Sequence, residues 1–429
     1  MTRRDRDPGT VDLSTRAPTV VEAAEAAIVD VDRFIARGTR EFRLTNVALF
    51  ASGFTTFALI YCVQPIMPVF SQEFGIGAAA ASLSLSITTQ CLAVSMLIAS
   101  SLSEVFGRKP VMVASLCASS LLVLASAFAP NWQVFLVLRA LAGIAFSGLP
   151  ATAMAYVGEE METRSLGLAM GLYIGGTGLG ALGGRLIVGI LTDVVSWRAG
   201  MLTIGLLALG SSLIFTAYLP QSRHFVARPF NIAALGRSFA AHLRDPIQLL
   251  LYLEGFLLLG IFVALYNYIG YRLMAPPYGF SQTTVGLIFL LSLVGIVSSA
   301  WVGDLAGRLG RGRVFWVFVA IMLGGMGLTL FDHLAAILVG LAIVTFAFYA
   351  AHSVASSWVG VRAKHAKAQA SSLYLFSYYS GSSVIGSLGG LAWQHDGWLG
   401  VVLLGSIVLM IALAAALVLA RSDPPRVSG

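Results

Sequence analysis

Few side chains in this 429-residue chain have the chemistry to move a proton or hold a charged solute, and those few stand in apolar surroundings. Glu254 lies in Leu253-Glu-Gly-Phe256, inside an apolar run that begins near Leu249. At 1.5 Å per helical residue it sits about 10 Å from the inner end of that run. A carboxyl group in low dielectric resists ionisation, which suits a site that loads and releases a proton; a structural carboxylate bonded to a neighbouring helix is the other reading. Arg139 stands in a second apolar run, followed by Gly143 and Ser147 on the same helix face. An arginine at mid-bilayer costs about 2.5–3.5 kcal/mol, so Arg139 either faces a cavity or partner, or snorkels outward. Arg185 poses the same choice between a substrate charge and the outer surface. His352 is a relay group or a packing residue. Tyr374, Tyr378 and Tyr379, with Ser377 and Ser380, offer aromatic and hydroxyl contacts to an amphipathic ligand, or glue between helices. Tyr61 and Gln64 close one polar-aromatic cluster, and Tyr266 and Asn267 form another.

The elements that carry these residues must be membrane helices. The chain is 57% hydrophobic and 11% charged, and a soluble fold carries roughly 25% charged residues. The bilayer is therefore its solvent, and each crossing needs about 20 apolar residues. Twelve runs qualify: 44–69, 80–102, 110–129, 133–157, 166–190 and 198–219, then 247–271, 282–303, 313–331, 334–358, 368–392 and 398–420. We number them spans 1 to 12. They divide the chain into a tail (1–43), a first half (44–219), a polar linker (220–246), a second half (247–421) and a short tail (422–429). Val20 to Phe42 carries apolar residues at helical spacing and is expected to form a surface amphipathic helix. With no early apolar core or small-residue cleavage site, a cleaved signal peptide is not expected.

Of the 27 lysines and arginines, all but Arg139, Arg185, Arg198 and Arg272 fall in the tails, the linker and the even-numbered loops. That asymmetry places both termini in the cytoplasm. It also explains the net charge of +7 as a topology signal, so no nucleic-acid partner is expected. Cys62, Cys91 and Cys117 share no short spacing, and neither a disulfide framework nor a metal site is expected.

The chain repeats itself. Phe57-x-x-x-Tyr61 returns as Phe262-x-x-x-Tyr266, and Glu104 returns two hundred residues later as Asp304. Each carboxylate ends an apolar run and is followed by a glycine three residues on, then arginine: Glu104, Gly107, Arg108 in one copy, and Asp304, Gly307, Arg308 in the other. The glycine is expected to permit a tight turn and the bases to rest in water or on lipid phosphate. Parallel duplication of six spans is a transporter architecture with its site between the halves near the midplane.

Ser100-Ser-Leu-Ser-Glu104-Val-Phe-Gly107-Arg-Lys109 and Ala300-Trp-Val-Gly-Asp304-Leu-Ala-Gly307-Arg308 resemble the loop signature of the major facilitator superfamily, Gly-x-Leu-Ala-Asp-Arg-x-Gly-Arg-Lys. The resemblance runs from Thr39 to Arg421 and includes the span-4 pattern Arg139-Ala-Leu-Ala-Gly143. It departs at Ser100 and Ala300 for the leading glycine, Val302 for leucine, and Glu104 for aspartate. More narrowly, Arg37-Gly-Thr, Tyr61-Cys-Val-Gln-Pro65 and Leu253-Glu-Gly-Phe256 look like the acriflavine-susceptibility and arabinose-efflux-permease-like branch. Span 5 is similar to the antiporter motif Gly-x-x-x-Gly-Pro-x-x-Gly-Gly, with Ala181 for the proline and Arg185 for the last glycine.

The resemblance implies an all-α membrane protein of twelve transmembrane helices in two pseudo-symmetric six-helix halves. It implies a monomeric, proton-coupled exporter of a small molecule in a bacterial inner membrane, its partners being substrate, protons and the lipid bilayer, with no cofactor. Glu254 and Arg139 are then expected at the proton-coupling site. Glu104, Gly107, Arg108, Asp304, Gly307 and Arg308 form the gating loops. Tyr61, Gln64, Arg185, Tyr266, Asn267 and Tyr378 line the substrate path. The same residues would serve a proton-coupled uptake symporter, and a non-transporting receptor or enzyme is the remaining alternative. Against an enzyme, the spans hold no paired carboxylates, His-x-x-x-His or Ser/His/Asp grouping. Against an ATP-driven pump, there is no glycine-rich loop ending in Gly-Lys-Ser/Thr. Gly178-x-Gly180-x-x-Gly183 matches a dinucleotide fingerprint, but that motif needs a preceding strand in a soluble unit; here the glycines read as a close-packing face.

Overall fold

In a bilayer every peptide N–H needs a partner within its own segment, so long apolar runs become helices. The computed structural model describes residues 34–227 and 232–422 and is helical almost throughout. Eleven helices are long and apolar enough to cross a membrane. The last, Lys367–Ser422, is two helices joined across a kink at Asp396 and Gly397, where Gly397 has φ +58°. There are thus twelve crossings among the described residues, and Arg40 and Ser422 lie on one side, here called the tail side.

The helix ends differ from the apolar runs where proline intervenes. Span 1 is Arg40–Tyr61 and stops short of 69. Pro65 cannot donate a helical hydrogen bond, and after it a short helix, Met67–Phe74, carries the second proline, Pro68, in its first turn and ends on Gly75 in the left-handed region. Span 4 is broken before Pro150 into Trp132–Phe146 and Pro150–Glu160. The expected amphipathic helix over Val20–Phe42 lies outside the described residues as far as Arg33. Beyond it, Ile35 pairs with Met161 in an isolated bridge and the helix begins only at Arg40.

Small residues set the packing within each half. A Cβ at Gly176, Gly180 or Gly184 would stand 2.4, 2.1 and 2.5 Å from the carbonyl oxygens of Phe50, Phe54 and Ala58, so span 5 (Leu166–Val194) lies backbone to backbone on span 1. In the second half a Cβ at Gly381 would stand 1.9 Å from Phe256 O, and span 11 rests likewise on span 7 (Pro246–Met274).

The halves meet along two seams. Span 2 (Ala78–Phe106) and span 11 share a ladder of hydroxyls and amides: Ser383 donates to Ser86 O at 2.7 Å, Thr89 and Ser383 hydroxyls are 2.9 Å apart, and Gln90 donates to Ser380 at 3.3 Å. At the far end Asp193 of span 5 accepts from Gln282 N, Thr283 N and Thr283 Oγ1 at 3.0, 2.7 and 2.6 Å, capping the first turn of span 8. Both seams run from mid-membrane to the far side. On the tail side no hydrogen bond or ion pair joins the two six-helix halves among the described residues.

Candidate functional site

The far end of the central seam gathers five of the six residues expected along the substrate path. Span 1 ends at Tyr61 and the irregular segment beyond it carries Gln64; span 7 brings Tyr266 and Asn267 to the same depth; span 5 brings Arg185. Gln64 donates to Asn267 Oδ1 at 2.8 Å across the halves. Its own Oε1 accepts Arg185 Nε and Nη2 at 2.9 and 2.7 Å. Arg185 also donates to Ala181 O at 2.9 Å, and its guanidinium lies 4.5 Å from the ring centres of both Tyr61 and Phe289. Tyr266 shares a 2.7 Å hydrogen bond with Thr345. The cluster is buried, so Arg185 does not snorkel to the surface. It forms a bonded latch between the halves. Tyr378 lies apart from that latch, stacked 4.5 Å from His352.

Arg139 is wholly buried and does not snorkel either. Its Nη1 and Nη2 donate to Leu59 O and Ile60 O at 3.0 and 2.9 Å, and Nε to Ser84 O at 3.0 Å. Leu59 and Ile60 form the last turn of span 1, whose carbonyls lose their helical partners when Pro65 stops the helix. A cation there satisfies those carbonyls and the negative end of the helix dipole. The charge expected at the coupling site caps a helix that ends inside the membrane.

Glu254 is equally buried but differently placed. Neither carboxylate oxygen has a hydrogen-bond partner, and no cation pairs with it among the described residues. The phenol of Tyr374 on span 11 packs against the neighbouring Gly255, where an added Cβ would lie 2.8 Å from the ring. Tyr374 in turn shares a 2.9 Å hydrogen bond with His352 Nδ1 on span 10 (Leu334–Arg362). His352, Tyr378 and Phe348 continue as a stacked aromatic column toward the latch. An acid, a phenol and an imidazole thus stand in sequence in the tail-side part of the second half.

The two signature loops take unlike forms. In the first, Gly107 has φ +96° and makes the turn between spans 2 and 3. Arg108 folds back to Glu159 at the end of span 4, with Nη2–Oε1 at 2.7 Å and Nε–Oε2 at 3.1 Å, and donates to Ser103 at 2.6 Å. Lys109 bonds Leu219 O. Glu104 is half-buried and has no hydrogen bond or ion pair among the described residues. In the second loop the helix runs three residues further, to Leu309, so the turn glycine is Gly310, at φ +95°. Gly307, expected to make that turn, is helical. Asp304 and Arg308 pair at 2.7 Å on the surface.

A family model described as the Major Facilitator Superfamily matches residues 49–387. The chain belongs to that superfamily. It is 51% identical over 389 residues to the "Uncharacterized MFS-type transporter YybF" of Bacillus subtilis (strain 168), covering 91% of this chain and 96% of that one. It is 47% identical over 401 residues to the "Inner membrane transport protein YnfM" of Escherichia coli (strain K12), covering 92% and 96%. Among solved structures, a bacterial homologue of the human lysosomal transporter Spinster superposes with a TM-score of 0.70 at 14% identity, over 90% of this chain and 98% of that one. This last likeness shows the fold alone.

The chain is therefore a multi-pass membrane transporter and not an enzyme. Two groups in this transporter escape a reading of the sequence. Glu159 takes Arg108, and its only signal is the Glu159-Glu160 pair closing span 4. Phe289 stacks on Arg185 from a single 3₁₀ turn inside span 8 that no periodicity marks.

Proposed function

We propose that this transporter exports a small molecule in exchange for protons, and that Glu254 is the coupling acid. The observation that carries the reading is the Glu254 carboxyl: wholly buried, with both oxygens unpartnered and Tyr374 and His352 beside it. As a neutral acid it is tolerable in apolar surroundings; as an anion it needs water or a cation. A group so placed favours different conformations in its two protonation states. The tail side is cytoplasmic by the distribution of basic residues, and no hydrogen bond or ion pair joins the halves on that side among the described residues, so it is the side on which they can separate to let water reach the acid. Arg185, Gln64 and Asn267 close the outer side in this state. Tyr61 and Tyr266 flank them, and Tyr378 leads from the acid toward them, so substrate passes between the latch and the aromatic column. The branch resemblance of the Glu254 segment supports export over proton-coupled uptake.

Glu254→Gln mimics the protonated acid and cannot cycle. In matched proteoliposomes it should lose flux driven by a pH gradient by about tenfold or more, while equilibrium substrate exchange survives. Full pH-driven flux in Glu254→Gln would place the coupling site elsewhere. The direction of the driven flux separates export from uptake.

A further inference from the structure

On the tail side, outside the transport path, the linker forms a helix, Ile232–Leu243, that packs beside spans 7 and 11. Between this helix and the loop joining spans 10 and 11 lies a pocket of about 650 Å³. Arg237 enters it from the helix, and Lys364 and His365 from the loop. Asp245 is its one carboxylate, and Arg362 already holds both oxygens at 2.8 and 3.3 Å. Arg237 and Lys364 have no ion pair or hydrogen bond among the described residues, so the free charge of the pocket is positive. At its floor is Gln248, in the first turn of span 7, only 1% exposed. Neither its Nε2 nor its Oε1 has a partner. A buried amide without partners costs about 1–3 kcal/mol. His242 Nε2 bonds Ala366 O at 3.1 Å, tying the helix to the loop, and Ala366 is the one non-glycine residue with positive φ among the described residues (+48°).

We propose that this pocket binds a phosphate group, with Arg237 and Lys364 meeting its oxygens and the Gln248 amide donating from below. A carboxylate offers two acceptor oxygens along one edge. A phosphate offers three or more in different directions, which suits donors arriving from a helix, a loop and a buried floor. The group belongs either to a soluble phosphate or to the headgroup of an anionic lipid at the membrane surface. Either would clamp the linker helix to the second half, because its ligands come from both.

The test uses the full-length protein in nanodiscs. In phosphatidylcholine, inorganic phosphate titrated against chloride at matched ionic strength should raise the thermal midpoint. Arg237→Gln combined with Lys364→Gln should raise the half-saturating phosphate concentration about tenfold or more. Arg313→Gln, exposed on the same side but outside the pocket, should leave it unchanged. Gln248→Leu should weaken the phosphate response similarly while the midpoint without phosphate stays level or rises, because an unpartnered buried amide is removed. That sign distinguishes a ligand contact from a structural one. Phosphatidylglycerol nanodiscs separate the sources: if a lipid headgroup is the natural occupant, the midpoint rises without phosphate and added phosphate no longer moves it. A flat response in both lipids, or equal responses from the wild type and the Arg237→Gln/Lys364→Gln protein, overturns the site.

Discussion

Arg139 in the first half and Glu254 in the second are both fully buried, yet the fold treats them in opposite ways. Arg139 spends every guanidinium nitrogen on a carbonyl, two of them at the end of span 1. Glu254 spends nothing: both oxygens are unpartnered. The signature loops repeat the contrast. Around Arg108 the first half is sealed by Glu159, Ser103 and the linker, whose His224 bonds the buried Glu160 while Phe34 stacks on the imidazole at 4.4 Å. In the second half Arg308 and Asp304 stand in solvent. Duplicated sequence has thus become one half in which Arg139 and Arg108 are saturated and one in which Glu254 is unpartnered and the Asp304–Arg308 pair faces water. A saturated buried charge is a scaffold element, because moving it breaks several bonds at once. An unsaturated one is where a ligand or a proton changes the energy most.

The contrast breaks most visibly at Arg139. Arg139→Gln leaves the last carbonyls of span 1 without a cation and should cost about 3 kcal/mol or more, read as a lower thermal midpoint and poor yield. Arg139→Lys keeps the charge but loses the fork that reaches three carbonyls, so it should recover only part of that stability. Glu254→Gln should leave the midpoint unchanged or higher. If the two glutamine variants destabilise alike, the saturated and unsaturated charges are not the different things proposed here.

A smaller effect is expected at the latch. Gln64→Leu removes the acceptor of Arg185 and the donor to Asn267 together. The loss, about 1–2 kcal/mol, falls on the state in which the far side is closed, so the open population should rise about tenfold. A cysteine at Ser71, which bonds Tyr271 across the halves at 2.7 Å, reports this in a background without Cys62, Cys91 and Cys117. Its labelling by an impermeant maleimide from the far side should accelerate accordingly. An unchanged rate would mean that the seam of spans 2 and 11 holds that side shut without the latch.

The halves and the twelve crossings were legible in the sequence, because repetition and hydropathy are one-dimensional signals. The shared Phe-x-x-x-Tyr relates Phe57 and Tyr61 to Phe262 and Tyr266, whose rings lie close within each copy, but its offset carries position 64 to 269, so the bond between Gln64 and Asn267 is not written in the repeat. What the sequence hid depends on rotation and on exact helix ends. The task of Arg139 follows from span 1 stopping at Tyr61, eight residues before its apolar run does. The turn at Gly310 rather than Gly307 follows from three more residues of helix in span 8. The choice of Glu159 over Glu104 for Arg108 depends on where span 4 ends after its break at Pro150. None of these is a property of composition.

The smallest effects belong to the two loops, where the comparison can be sharpened by double-mutant cycles. Arg108 and Glu159 are 10% and 33% exposed at the side chain, and the contact is bidentate and reinforced by Ser103. Removing either partner leaves the other half-desolvated without a counter-charge. The coupling energy from Arg108→Gln and Glu159→Gln should therefore be about 1–2 kcal/mol and persist in high salt. Arg308 and Asp304 are 75% and 63% exposed and lie one helical turn apart. Water and salt screen such a pair, and holding two long side chains together costs entropy. Their coupling should be about 0.5 kcal/mol or less and vanish at molar salt. Equal couplings would mean that the surface pair is desolvated in another conformation, and that the second loop becomes sealed in its turn when the far side opens. A large coupling only at Arg108 would leave the first half as the rigid body against which the second half moves.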